Sequence, residues 1–345
     1  MAKRHRKKKR AFPIVIFLTS ALIVIGLIYI KNKNVLQDNL KIDLDIKTNP
    51  KLKIINEDSN KRSIAVMINN HPQAVLNHAG LQDAYLVYEI IVEGGYTRMM
   101  AIFKDKNTEK IGSVRSSRHY FLDYAMENDA IYVHYGWSPK AQADISSYSI
   151  NNINGLYDSA FWRDNSLNVA YEHKAFTSME KIQGVIDKRG YRNTSSQKLL
   201  LNYSVKPIDI SNKEDSMLAN KVVIPYSNYQ ETSYQYDTTN QVYKRFINGK
   251  EHIDAITKKQ YTAKNIIIQK VSNYSMDNYG RQDINNVGSG DGYFITNGSA
   301  VPINWSKSSR QAQTIYKYSD GSTIEVNDGN TYIQIQPINQ VTNIS

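Results

Sequence analysis

The chain of 345 residues contains no cysteine, which excludes a disulfide framework, a thiolate metal site, a cysteine nucleophile and a lipid-modified cysteine. The protein must therefore stand on its apolar core. There are seven histidines, but none is spaced as HxH or HExxH, and no run of alternating acids resembles a calcium loop. No metal and no cofactor are expected. A GxSxG serine elbow is missing as well. Long apolar runs are scarce, with a single one at residues 11–30, AFPIVIFLTSALIVIGLIYI, 20 residues without a charge.

At about 1.5 Å per residue that run is long enough to cross a hydrocarbon core of roughly 30 Å, so it reads as a transmembrane helix inserted in the lipid bilayer. Residues 1–10, MAKRHRKKKR, carry seven Lys or Arg and no acid, with Lys31 and Lys33 beyond the run. The positive-inside rule then leaves the N-terminus cytoplasmic and the bulk of the chain extracytoplasmic. No small-x-small cleavage site follows Ile30, so an uncleaved signal anchor is expected. The helix contains no GxxxG pair that would announce a helical partner. Of the formal charge of +11, the tail supplies seven, leaving 36 bases against 32 acids in the rest. Basicity confined to a terminal block does not describe a nucleic-acid-binding face, and no nucleic acid is expected as a partner.

Residues 31–60 are polar and weakly patterned, as suits a linker that lifts a domain off the membrane. From Ser63 the texture changes to short apolar runs, SIAVMIN, YLVYEIIV, RMMAIF and AIYVHYG, which suit strands covered on both faces. In SSRHYFLDYAMEND, Ser116 or Ser117 can cap a helix, with Tyr120, Phe121, Tyr124 and Ala125 on one face. A second helix is expected from Thr177, through the capping box Thr177-Ser178-Met179-Glu180, to Gly190. Residues 61–205 thus read as an α/β domain with a mixed sheet and helices. The polar, Pro207-containing stretch 206–221 reads as a linker, and residues 222–342 as a smaller β-rich domain with Asn-Gly and Asp-Gly turns. In YQYDTTNQVYKRF a hairpin carries Tyr234, Tyr236, Tyr243 and Phe246. The fold class is α+β.

Two clusters can carry chemistry. Along an extended YLVYEIIVE, Glu89 and Glu93 share a face about 7 Å apart. Paired carboxylates at such a distance suit acid/base cleavage of a glycosidic bond, and alternating acids also occur as a plain solvated face. His134 ends an apolar strand, where active-site residues of α/β sheets sit. The second cluster, Gly112-Ser113-Val114-Arg115-Ser116-Ser117-Arg118-His119, is a turn into the first helix. Two guanidiniums, two hydroxyls and the positive helix end would hold an anion together, unless Arg115 and Arg118 pair with Glu89, Glu93 or Asp123. Arg98, Arg163 and His173, the last in a polar loop, complete the candidate ligand-binding set.

The stretches NNHPQAVLNHAGLQDAYLVYEIIVEGGYTRMMAIF, IGSVRSSRHYF, AIYVHYGWSP and FWRDNS resemble the N-terminal half of the DUF3048 family. YKRFINGKEHIDAITKKQYTAKNIIIQ, DNYGRQDINNVGSGDGYFITNG and NDGNTYIQIQP resemble its C-terminal half, and together they span nearly all of residues 60–340. The resemblance implies a two-domain extracytoplasmic envelope protein of Gram-positive type, in a family without an assigned activity. Members similar to it are held by a lipidated cysteine, in whose place this chain has its N-terminal helix. Ser113 stands where the family tends to show proline, and AYEHKAFTS departs from its PHN-type run.

The expected function is that of a membrane-anchored envelope protein binding an anionic or glycan cell-wall polymer through Arg98, Arg115, Arg118 and the helix start, with Arg163. One alternative is a glycan-cleaving enzyme using Glu89 and Glu93 with His134 nearby. The other is a scaffold that recruits envelope protein partners.

Overall fold

The four apolar runs of the N-terminal half form the strands Ile64–Asn69, Leu86–Ile91, Thr97–Phe103 and Ile131–His134, in which every residue is buried. A continuous apolar strand needs cover on both faces, and here it has it. Met67, Tyr88, Ile90 and Met100 face one core, which takes in Tyr120, Phe121 and Tyr124 of the helix His119–Glu127. Val66, Val87, Met99 and Ala101 face a second core, which takes in Ile182 and Ile186 of the helix Met179–Arg189 together with Val222, Tyr234 and Tyr243.

This is a computed structural model, and it describes residues 29–33 and 51–345. The basic tail and the expected span at residues 11–30 lie outside the described residues, apart from Tyr29 and Ile30. Among the described residues no helix is long and apolar enough to cross a membrane. Residues Leu52–Ser345 form one compact unit.

Its frame is an eleven-stranded mixed sheet to which both halves of the sequence contribute. Thr331–Pro337, from near the C-terminus, lies parallel to Leu86–Ile91 on one side and to Asn265–Val271 on the other. The two expected domains thus share a sheet. A six-stranded sheet built around Lys221–Pro225, Glu231–Asp237 and Val242–Ile247 covers one face. The fold is α+β and strand-rich, with four α-helices in residues 51–345.

Both expected linkers are partly drawn into this unit. Leu52 and Ile55 are buried, and the Lys53 and Ile54 amides donate to the Asp328 carboxylate. In 206–221, Ile210 is buried and Met217–Leu218 pairs with Ser299–Lys307. Apolar side chains in these polar stretches supplied the anchor.

Helix ends follow capping chemistry with small shifts. The second expected helix starts one residue late, because the Ser178 hydroxyl, rather than that of Thr177, accepts the Lys181 amide, and Gly190 closes it at φ 62°. The first has Arg118 at its N-cap without a side-chain cap; Ser116 and Ser117 precede it. A helix at Pro139–Ser147, capped by Ser138 with proline in its first turn, was not expected, although Ser138-Pro139 is its signature.

Candidate functional site

The strands Ile64–Asn69, Leu86–Ile91, Thr331–Pro337 and Asn265–Val271 run in one direction, since the first two are both antiparallel to Thr97–Phe103 and the others are joined by parallel pairings. Their C-terminal ends therefore meet along one edge, the place where open α/β sheets leave a crevice. A cleft of about 360 Å³ opens there. Asn69 ends one strand and His71 follows it, and Val92 and Glu93 follow the next. The ribbon of Asn273–Ser275 and Gln282–Ile284, which leaves the end of Asn265–Val271, brings Tyr279 and Arg281 to the same cleft.

Three of the expected arginines converge on it. Arg118 forks onto Glu93, Nε donating to Oε1 at 2.5 Å and Nη2 to Oε2 at 3.0 Å. Arg98 Nη2 stands 3.8 Å from the same Oε2, while its Nη1 donates to the Ser116 carbonyl at 2.6 Å. Arg115 reaches only the Glu172 carbonyl, at 3.3 Å, and among the described residues it makes no ion pair. Two guanidiniums thus share one carboxylate, and a third stands beside them without one at ion-pair distance. Burial and the neighbouring Arg118 push Arg98 down to about 9, against the pull of Glu93. Burial lowers Arg115 too, and Arg118 and Arg163 add to it against Glu172. Burial pushes the Glu93 carboxyl up, but Arg118 and Arg98 outweigh it and hold it below the usual carboxylate range. Glu93 is ionised at neutral pH.

Glu93 is not on the strand with Glu89. The strand ends at Ile91, and Glu93 opens the 3-10 turn Glu93–Gly95, where Gly94 takes φ 70°. Such a backbone suits glycine. Glu89 stays on the strand and points into the second core, where it is fully buried. Its Oε2 accepts Arg245 Nη2 at 2.7 Å, its Oε1 accepts Thr97 Oγ1 at 2.7 Å and Asn70 Nδ2 at 3.0 Å, and Thr232 Oγ1 reaches both oxygens. The two carboxylates therefore do not face a common substrate.

From Arg245 a relay of hydrogen bonds runs back to the cleft. Arg245 Nη1 donates to His252 Nδ1 at 2.5 Å. A guanidinium can only donate, so the His252 proton sits on Nε2 and goes to His78 Nδ1 at 2.8 Å. His78 Nε2 in turn donates to the Asn69 carbonyl at 2.5 Å. Both rings are neutral: burial drives His78 down to about 4, and burial with Arg245 holds His252 well below the usual imidazole range. Asn69, held by this relay, donates its Nδ2 to His173 Nδ1 at 2.7 Å, and His173 stacks on His71 with ring centroids 4.8 Å apart.

The remaining candidates lie apart from the cleft wall. The Ser117 hydroxyl is buried and accepts Tyr132 OH at 2.9 Å, and Ser116 serves through its carbonyl. Arg163 lies over the rings of Tyr171 and Tyr135 at 3.8 and 4.5 Å. His134 is fully buried, with Nδ1 2.8 Å from the Gly136 carbonyl and Nε2 3.2 Å from Asn152 Oδ1. No group of three or more metal-ligating side chains gathers among the described residues. A larger groove of about 780 Å³ along Phe103, Met179 and Gly184 contains none of the expected site residues.

Sequence reasoning missed His71, Tyr96, Tyr279 and Arg281 as cleft residues. His71-Pro72 opens a short helix whose N-cap is His71, a turn signal within reach. Nothing local in Asn278-Tyr279-Gly280-Arg281 says that it meets residues some 160 positions earlier.

Comparison with known proteins places these features in context. Residues 51–192 match the family described as "Protein of unknown function (DUF3048) N-terminal domain", and residues 222–333 match its C-terminal domain. "Putative lipoprotein YerB" of Bacillus subtilis (strain 168) is 31% identical over 302 residues, 85% of this chain and 87% of that protein. A crystal structure of the YerB protein from Bacillus subtilis is 29% identical, with a TM-score of 0.74, over 86% of this chain and 99% of that one.

Proposed function

This chain belongs to the DUF3048 family, and from that premise we propose that it is a membrane-anchored extracytoplasmic envelope protein whose cleft binds an anionic ligand of the cell wall. The observation that carries this reading is the unbalanced charge of the cleft, where, among the described residues, Arg98 and Arg118 have Glu93 alone within ion-pair distance and Arg115 has no carboxylate there. A partly buried cation without a counter-ion is costly, and a bound anion removes that cost through charge-assisted hydrogen bonds. The relative's name supports the location. This chain has no cysteine to carry a lipid, and the uncharged run at residues 11–30 would supply the anchor in its place.

The glycan-cleaving alternative needs two carboxylates at one bond, and Glu89, sealed from solvent, offers no second. The test uses the full-length chain in detergent, incubated with purified cell walls. The wild type should pellet with the walls, Arg115→Ala should weaken that by about tenfold or more, and no muropeptides should appear in solution. Pelleting indifferent to Arg115→Ala, or muropeptide release lost in Glu93→Gln, would overturn this reading.

A further inference from the structure

Resting on the anion-binding reading, we propose that the ligand is a phosphate ester of a ring-bearing alcohol, whose phosphate takes the place of the Glu93 carboxylate on Arg118 and whose ring lies against Tyr279. Glu93 shows how an anion sits in this cleft. Its two oxygens lie in one plane and satisfy one fork, that of Arg118, leaving Arg98 Nη2 at 3.8 Å and Arg115, among the described residues, with no carboxylate within ion-pair distance. A phosphate has oxygens in more than one plane, so it can fill the Arg118 fork and still turn a third oxygen toward Arg98 or Arg115. A monoester carries a charge of about −1.5 to −2 at neutral pH, close to the excess of two that Arg98, Arg115 and Arg118 leave over Glu93, with Arg281 neutralised by Asp277.

The carboxylate is placed to leave. Its side chain is 22% exposed, and it sits on a three-residue turn with Gly94 at φ 70° and Gly95 at φ 74°. Glu89, by contrast, is fixed by five hydrogen-bond contacts and could not exchange. Beside the arginines, Tyr279 is 80% exposed with Arg281 4.9 Å from its ring, and Arg281 is already paired with Asp277. A bare aromatic face next to an anion site offers stacking to a ring carried by that anion.

The full-length chain in detergent is titrated calorimetrically with N-acetylglucosamine 1-phosphate, glycerol 1-phosphate, inorganic phosphate and glucuronate. The sugar phosphate should bind about tenfold tighter than glucuronate. Glu93→Gln should tighten every phosphate about threefold to tenfold by removing the competing carboxylate, and Tyr279→Ala should weaken the sugar phosphate about threefold while leaving inorganic phosphate unchanged. Nanodiscs containing phosphatidylinositol 4-phosphate, whose ring carries a phosphate monoester, separate the two sources: binding there alone places the ligand in the bilayer, and binding of the soluble sugar phosphate places it among glycans. Either supports the proposal. Equal binding of glucuronate, or weaker phosphate binding in Glu93→Gln, would overturn it. Tyr279→Ala, at an exposed site, keeps the ring part falsifiable if the Glu93 variant does not fold. Failure of all anions to bind would instead bring down the reading on which it rests.

Discussion

Glu89 and Glu93 stand four residues apart, and each meets arginine, yet their surroundings make them opposite kinds of site. Glu89 and Arg245 are both fully buried and pair one to one, with Thr97, Asn70 and Thr232 filling the remaining lone pairs. Glu93 faces a cleft and is shared by two arginines while a third goes without. A balanced, sealed pair joins the two halves of the sequence and holds Asn69 in place; an unbalanced, open one leaves the charge on which the proposed anion site rests. Charge balance and exposure, rather than residue type, separate scaffold from site.

The comparison can be broken first at its sealed side. Arg245→Leu strands Glu89 in the core and should cost about 3–5 kcal/mol of stability, read as a shift in denaturant midpoint. Replacing both partners with apolar residues should restore much of that loss. A smaller effect should appear with pH. His78 has its folded value at about 4 against an ordinary 6.5, so the unfolded chain binds more protons between those values. Stability is then full above about pH 6.5 and falls by roughly 3 kcal/mol as the pH drops toward 4. His78→Gln should flatten that profile while lowering stability throughout, and an unchanged profile would remove His78 as its source.

On the open side the expected effects move from stability to binding. Arg115→Ala should leave the unfolding midpoint within about 0.5 kcal/mol of wild type while weakening anion binding by about 1.5–3 kcal/mol. Glu93→Gln removes a partly exposed ion pair, so its cost in stability should stay within about 1 kcal/mol, far below that of Arg245→Leu. Similar losses in the two variants would erase the distinction.

Much of this was readable in the chain. Nearly continuous apolar runs announced fully covered strands, a helix from Thr177 to Gly190 was legible to within one residue, and alternation announced the hairpin of Tyr234, Tyr236, Tyr243 and Phe246, of which Tyr234 and Tyr243 turn inward. The same alternation turns Arg245 inward with Tyr243, which composition argues against and only Glu89 explains. Strand periodicity assigns a face, not a partner, and Glu89 meets Arg245 across 156 positions. The arginines around the helix start were legible as a cluster because they are close in sequence. Tyr279 and Arg281 were not, because only the path of a distant ribbon brings them there.

The most direct test is a titration of the full-length chain in detergent with inorganic phosphate, for wild type and Arg115→Ala, with thermal melts of both. Saturable binding that weakens by about tenfold in Arg115→Ala, at an unchanged melting temperature, is the predicted result. Equal affinity in the two proteins, or no saturable binding in the wild type, would contradict it.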